Sequence, residues 1–203
     1  MTTHEFALRL QHACASVMAA EQELTEIDSK FGDADHGLTM TKIAKAISAA
    51  VEASDGGIQT MLDDAAMAVM SLNGGSAVPL WNTWLDGMQE AAPEGDAVDI
   101  AGIQAIFAGG FAEIDDMSGA KVGDKTMMDA LIPAVEAIQA CSSDDIKEIL
   151  EAGAKAALAG AASTVEMKAN FGRARNYGER SVGYADSGAT SWSCMFESFA
   201  QAL

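Results

Sequence analysis

The chain has 203 residues, 49% of them apolar, and 30 acidic against 12 basic side chains give a net charge of −18. That length and apolar content suffice for one packed core without staples, so a single domain over 1–203 is expected. The charge disfavours nucleic acid or an anionic membrane as a general partner, so any phosphate must be held locally by metal, backbone amides or a few selected basic groups.

Thr2-x-x-Glu5 predicts a capping box, and Phe6, Leu10, Ala13 and Val17 fall on one helical stripe to about residue 22. The stretch Ile27-Asp28-Ser29-Lys30-Phe31-Gly32-Asp33-Ala34-Asp35-His36-Gly37 then breaks the helical period. From Gly37 a second helix carries Met40, Ile43, Ala44, Ile47 and Val51 inward until Ser54-Asp55-Gly56-Gly57 ends it. A third, over about 58–72, stops at Asn73-Gly74-Gly75-Ser76-Ala77-Val78-Pro79, where Pro79 suits the start of a fourth helix running to about 91. Asp99 to Ile114 forms a fifth. A sixth spans about 126–140, with Pro133 predicting a kink or a late start; Ser143 is placed to cap a seventh, alanine-rich helix over about 144–168. Residues 169–188 carry four glycines and three arginines without periodicity, before a last helix over about 189–202. No stretch alternates like a strand, so the fold class is all-α, an antiparallel up-and-down bundle of about eight helices.

In such a bundle alternate connections emerge at the same end. Those after helices one, three, five and seven are the Asp-rich loop, the Gly74-Gly75 loop, the loop ending in Gly123-Asp124-Lys125, and the arginine-glycine loop. Chance seldom puts every unusual loop on one rim, which predicts a single site there. Asp33 and Asp35 alternate across Ala34, so an extended backbone turns both to one side, and Gly32 permits the bend that brings Asp28 alongside. Three crowded carboxylates repel one another, and a hard cation such as Mg²⁺ relieves this while bridging to phosphates; the plainer reading is an Asp-rich turn capping the next helix. Gly74-Gly75-Ser76-Ala77 ahead of a helix can offer amides and a hydroxyl to phosphate, or be only a turn. Arg173, Arg175 and Arg180 suit a metal-polyphosphate ligand, or pair with surface acids. His36 either touches phosphate or caps. The Met and Trp residues read as core. Cys14, Cys141 and Cys194 lack metal-ligand spacing and read as reduced thiols of a cytoplasmic protein, with no leader pattern or membrane-length apolar run.

Together, Leu24-Thr25-Glu26-Ile27-Asp28, Gly32-Asp33-Ala34-Asp35-His36-Gly37, Gly74-Gly75, Gly123-Asp124-Lys125-Thr126-Met127, Gly172-Arg173-Ala174 and Gly188-Ala189-Thr190-Ser191 resemble the ADP-binding L subunit, or nucleotide domain, of dihydroxyacetone kinases. The resemblance implies an eight-helix antiparallel barrel with nucleotide at one rim. It implies two Mg²⁺ ions held by Asp28, Asp33 and Asp35, and ADP or ATP lined by His36, Gly37, Leu38 and Thr39. Gly75, Ser76 and Ala77 would form the phosphate loop, Gly119 and Met127 the adenine side, and Arg173, Asp186, Ser187 and Gly188 the remaining wall. It further implies phosphoryl transfer to dihydroxyacetone or a related short ketose on a separate K-type subunit, with ATP or a phosphohistidine protein of the sugar phosphotransferase system as donor. The chain departs from the family pattern in two places: Gly74-Gly75-Ser76-Ala77-Val78-Pro79 stands where Gly-Gly-Ala-Ser-Gly-Pro is usual, and Asp186-Ser187-Gly188 where Asp-Pro-Gly is usual. A non-catalytic nucleotide-binding or regulator-docking module of the same fold is the alternative.

Overall fold

A computed structural model describes residues 1–202. The described residues form nine α-helices: α1 Thr3–Ala19, α2 Glu21–Asp28, α3 His36–Ala53, α4 Ile58–Met70, α5 Ala77–Ala91, α6 Ile100–Ser118, α7 Met128–Ala140, α8 Ile146–Ser163 and α9 Ser187–Gln201, with two 3₁₀ turns, Thr164–Glu166 and Ala174–Ser181. The short α2 continues α1 after a break at Ala20, so the long helices number eight. Each packs on the next in sequence, from α3 through α9; α1 meets α3 on one side and α9 on the other, which closes the ring. The all-α expectation is met.

The ring closes where Arg9 of α1, almost fully buried, donates from Nη1 to the carbonyls of Phe199 and Ala200, both at 2.9 Å. Those carbonyls end α9, where helix geometry leaves acceptors unpaired and the dipole favours a cation. His12 sits 2.8 Å from the Ser198 carbonyl beside it. Inside the ring Trp81, Trp84 and Trp192 pack together, with Trp81 stacked on Trp192 at 4.6 Å and 28° and Trp84 edge-on to Trp192 at 4.9 Å. Phe107, Phe196, Phe199 and Phe6 extend this aromatic centre. Offset and edge-on pairs of this kind add about 0.5–1.5 kcal/mol each beyond their burial.

The helix boundaries differ from the sequence reading in instructive ways. The Thr2–Glu5 capping box forms. The third residue of α5 is Pro79, still in the first turn, where its missing N–H costs nothing. Helix α6 runs a turn further than expected and ends at Gly119, whose φ of 63° makes it a left-handed cap. Asp145, not Ser143, caps α8, accepting from the Lys147 amide at 2.8 Å. Helix α7 neither kinks apart nor starts late at Pro133 but runs through it. Proline there leaves the Asp129 carbonyl without its helical donor, and Gly160 of α8 packs against that carbonyl; a Cβ at 160 would lie 1.9 Å from it. No helix of the described residues is long and apolar enough to cross a membrane.

Candidate functional site

One end of the ring opens into a cavity of about 730 Å³. The four connections singled out from the sequence all line it: Asp28 to His36, Gly75 to Leu80, Met117 to Met127, and Phe171 to Gly188 each contribute residues. The predicted rim is therefore real.

Asp28 lies on the last turn of α2 rather than in a free loop, and its carbonyl accepts from the Gly32 amide at 2.7 Å to start the reversal into α3. Asp33 and Asp35 are not aligned by an extended backbone as expected. Ala34 takes a left-handed φ of 60°, because the chain must turn back within a few residues, and Asp35 at φ −110° is already the N-cap of α3. Gly32 supplies space more than bend: a Cβ there would meet the Asp28 carboxylate at 2.2 Å. The outcome is that one oxygen from each of Asp28, Asp33 and Asp35 lies within 4.8 Å of the others. Asp28 Oδ2 is buried without a hydrogen-bond partner.

Burial and the like charges of Asp33 and Asp28 push the Asp35 carboxyl above its ordinary value. Burial works the same way at Asp33, but the Arg173 guanidinium, in ion-pair contact with it, outweighs burial and brings that carboxyl below the usual range. Three carboxylate oxygens this close, with Asp28 Oδ2 buried and unpartnered beside them, fit a hard divalent cation.

His36 is mostly buried, and its Nε2 lies 3.0 Å from Ser191 Oγ on α9. Burial lowers its pKa, with Asp28 opposing, which favours the neutral ring. Gly37 is a packing residue: a Cβ would strike the Glu21 carbonyl at 2.0 Å and Thr25 Oγ1 at 2.3 Å. Thr39 lines the cavity one turn on, whereas Gly37 and the half-exposed Leu38 do not. Gly75 has open space where a side chain would go, and Ser76 spends no hydroxyl on capping α5. Gly119 caps α6 and stays off the cavity, which takes Ser118 and Ala120 instead, with Met117 and Met127 as apolar wall.

Asp186 caps α9, accepting from the Ala189 amide at 2.8 Å. Burial raises its carboxyl to about 6, against the lowering effect of that amide and of Lys125. Ser187 Oγ approaches Asp28 Oδ1 at 3.4 Å, and Gly188 sits against Met127. Of the three arginines only Arg173 lines the cavity; Arg180 stacks over the Tyr177 ring at 5.2 Å.

Several lining residues were not anticipated. Trp81 and Trp192 form part of the cavity wall as well as the core. Phe31 packs against Tyr177 and Tyr184 at 5.0 and 5.2 Å, joining the Asp loop to the arginine loop. Lys125, also at the cavity, is 3% exposed and left-handed at φ 59°. Its Nζ donates to the carbonyls of Thr164 at 2.6 Å, Met167 at 3.2 Å and Tyr184 at 2.5 Å. A lysine in a Gly-Asp-Lys-Thr sequence suggests a phosphate ligand, but this one spends all three protons as a clamp. Asp129 anchors the same loop, accepting from the amides of Gly123 at 2.6 Å and Thr126 at 2.7 Å.

Comparison with known proteins adds to this geometry. The DAK2 domain family matches residues 30–201. The chain is 33% identical to the PEP-dependent dihydroxyacetone kinase ADP-binding subunit DhaL of Escherichia coli K12, covering 93% of this chain and 92% of that one. It is 34% identical to the D-erythrulose kinase of Mycolicibacterium smegmatis over 88% of this chain but only 32% of that protein. The crystal structure of the C. freundii dihydroxyacetone kinase in complex with AMP-PNP and Mg²⁺ shares the fold, with a TM-score of 0.78 at 23% identity, and the chain spans 34% of that kinase's length.

Proposed function

The chain belongs to the DAK2 domain family, and from that premise we propose that it is the nucleotide-binding subunit of a dihydroxyacetone-kinase-type phosphotransferase. The observation that carries the reading is the meeting of three carboxylate oxygens within 4.8 Å, with Asp28 Oδ2 buried and unpartnered, at the mouth of a cavity large enough for a nucleotide.

In this reading Asp28, Asp33 and Asp35 hold Mg²⁺, two ions in all. Bound there, the metal neutralises charge on the polyphosphate and on the phosphoryl group in flight. The other groups bind and orient. Gly75, Ser76 and Ala77 turn the amino end of α5 toward phosphate, where backbone N–H groups and the helix dipole attract anions. His36, held by Ser191, and Thr39 fix the near side, and neutral His36 can donate or accept without repelling the metal. Met117 and Met127 offer an apolar slot for the base, and Gly119, off the cavity itself, ends α6 so that Ser118 and Ala120 face it. Arg173 supplies a guanidinium suited to phosphate, and Asp186, Ser187 and Gly188 close the far wall.

These residues offer nucleotide and metal ligands, and the similarity to ADP-binding subunits supports a K-type substrate-binding subunit as the holder of the acceptor. The relatives point to dihydroxyacetone or a tetrulose such as erythrulose as acceptor. The three free cysteines fit a cytoplasmic location. ADP retained through gel filtration would mark it as a coenzyme recharged by a phosphohistidine protein. Turnover of ATP by nucleotide-free protein with a K-type subunit would mark exchange instead.

The test is phosphorylation of dihydroxyacetone in the presence of a K-type subunit, comparing wild type with Asp33→Asn. The variant loses at least about two orders of magnitude in rate if the carboxylates hold the metal; undiminished activity would overturn the assignment.

A further inference from the structure

Arg173 is in an odd position for a residue meant to hold phosphate. Its guanidinium is already engaged, and its partner is Asp33, one of the three carboxylates that converge on the metal position. Among the described residues no other basic side chain is ion-paired with that triad. Both partners are substantially exposed, 65% for the Arg173 side chain and 42% for that of Asp33, so the pair is easily exchanged.

Arg173 stands on a loop whose ends are fixed, with its side chain open to solvent. Gly172 and Gly178 flank it with φ of 60° and 55°, and a Cβ at either would meet nothing within 4 Å, so conformation rather than packing calls for glycine there. The loop's two ends are held by Lys125 through the Met167 and Tyr184 carbonyls.

Resting on the reading of Asp28, Asp33 and Asp35 as metal ligands, we infer that Arg173 is an internal counter-cation. It occupies Asp33 until a divalent cation displaces it, and the released guanidinium then takes the nucleotide phosphate. One side chain thereby serves two anions in turn. Metal binding frees Arg173 for phosphate, and phosphate draws Arg173 off Asp33, so each ligand favours the other by the same factor. The arrangement also keeps three close carboxylates partly neutralised before metal arrives.

The experiment is titration of the full chain with Mn²⁺ followed by electron paramagnetic resonance, with and without ADP, for wild type, Arg173→Gln, Arg173→Lys and Asp35→Asn. Removing a unit charge beside a divalent ion strengthens Mn²⁺ binding in the absence of nucleotide by about tenfold in Arg173→Gln. The same variant binds ADP more weakly, so the mutual enhancement of Mn²⁺ and ADP shrinks. Arg173→Lys keeps the charge and stays within about threefold of wild type. Mn²⁺ affinity without nucleotide that is unchanged or lower in Arg173→Gln overturns the inference, as does a lysine variant as tight as the glutamine one. Asp35→Asn separates the two levels: loss of Mn²⁺ with no gain in Arg173→Gln rejects the counter-cation alone, whereas wild-type Mn²⁺ binding by Asp35→Asn rejects the metal assignment beneath it.

Discussion

Asp186 illustrates how one buried carboxyl sets a pH dependence. Its folded-state value of about 6 lies above the ordinary 3.8, so the folded protein holds this proton more tightly than the unfolded chain does. The resulting stabilisation is complete below about pH 4 and disappears as pH rises through about 6, a contribution of roughly 3 kcal/mol at most. Asp186→Asn keeps the capping oxygen for the Ala189 amide but cannot titrate. Thermal melts in EDTA from pH 4 to 7 are expected to show wild type losing stability relative to this variant across that window; parallel curves would reject it. At Cys14 burial pushes the thiol to about 12, so alkylation at pH 8 modifies Cys14 far more slowly than a free thiol, readable by mass spectrometry. The aspartates were legible in sequence because no helical face needs carboxylates at that spacing. The left-handed turns at Ala34 and Lys125 were not, because neither residue prefers that conformation: the tight reversal into α3 imposes it on Ala34, and the distant carbonyls of Thr164, Met167 and Tyr184 hold Lys125.

Between elements, the weight falls on close approach and on one clamp. Gly160 lets α8 lie against the α7 carbonyl that Pro133 leaves free, so Gly160→Ala is expected to destabilise by about 1–3 kcal/mol through overpacking, measured by urea denaturation. Lys125→Met strips three carbonyls of their donor at a nearly buried position and should cost about 3 kcal/mol or more. It should also loosen residues 164–184, seen as faster amide exchange there than in α4. The order and type of the helices were readable from the 3.6-residue period, and the alternation of loops located the rim. Helix ends were less so. The extra turn of α6 depends on Gly119 being left-handed, and the early end of α8 on the carbonyls of Thr164 and Met167 being turned toward Lys125, neither of which periodicity encodes.

For the molecule as a whole, a net charge of −18 means that Mg²⁺ raises stability by general screening as well as by binding. The two are separated by comparison. Mg²⁺ with ADP at a hundredfold excess over its dissociation constant should add about 2.7 kcal/mol, a rise in Tm of roughly 5–10 °C for a chain of this size. Matched NaCl, or Asp33→Asn with the same ligands, should give little of that rise. The aromatic centre has a practical consequence. All three tryptophans of the chain touch one another, and two of them form part of the cavity wall. The protein's entire indole emission therefore arises at one place, beside the cavity proposed for the nucleotide, with no distant fluorophore to dilute it. Nucleotide entry can be followed on the unlabelled, unmutated protein by its own light.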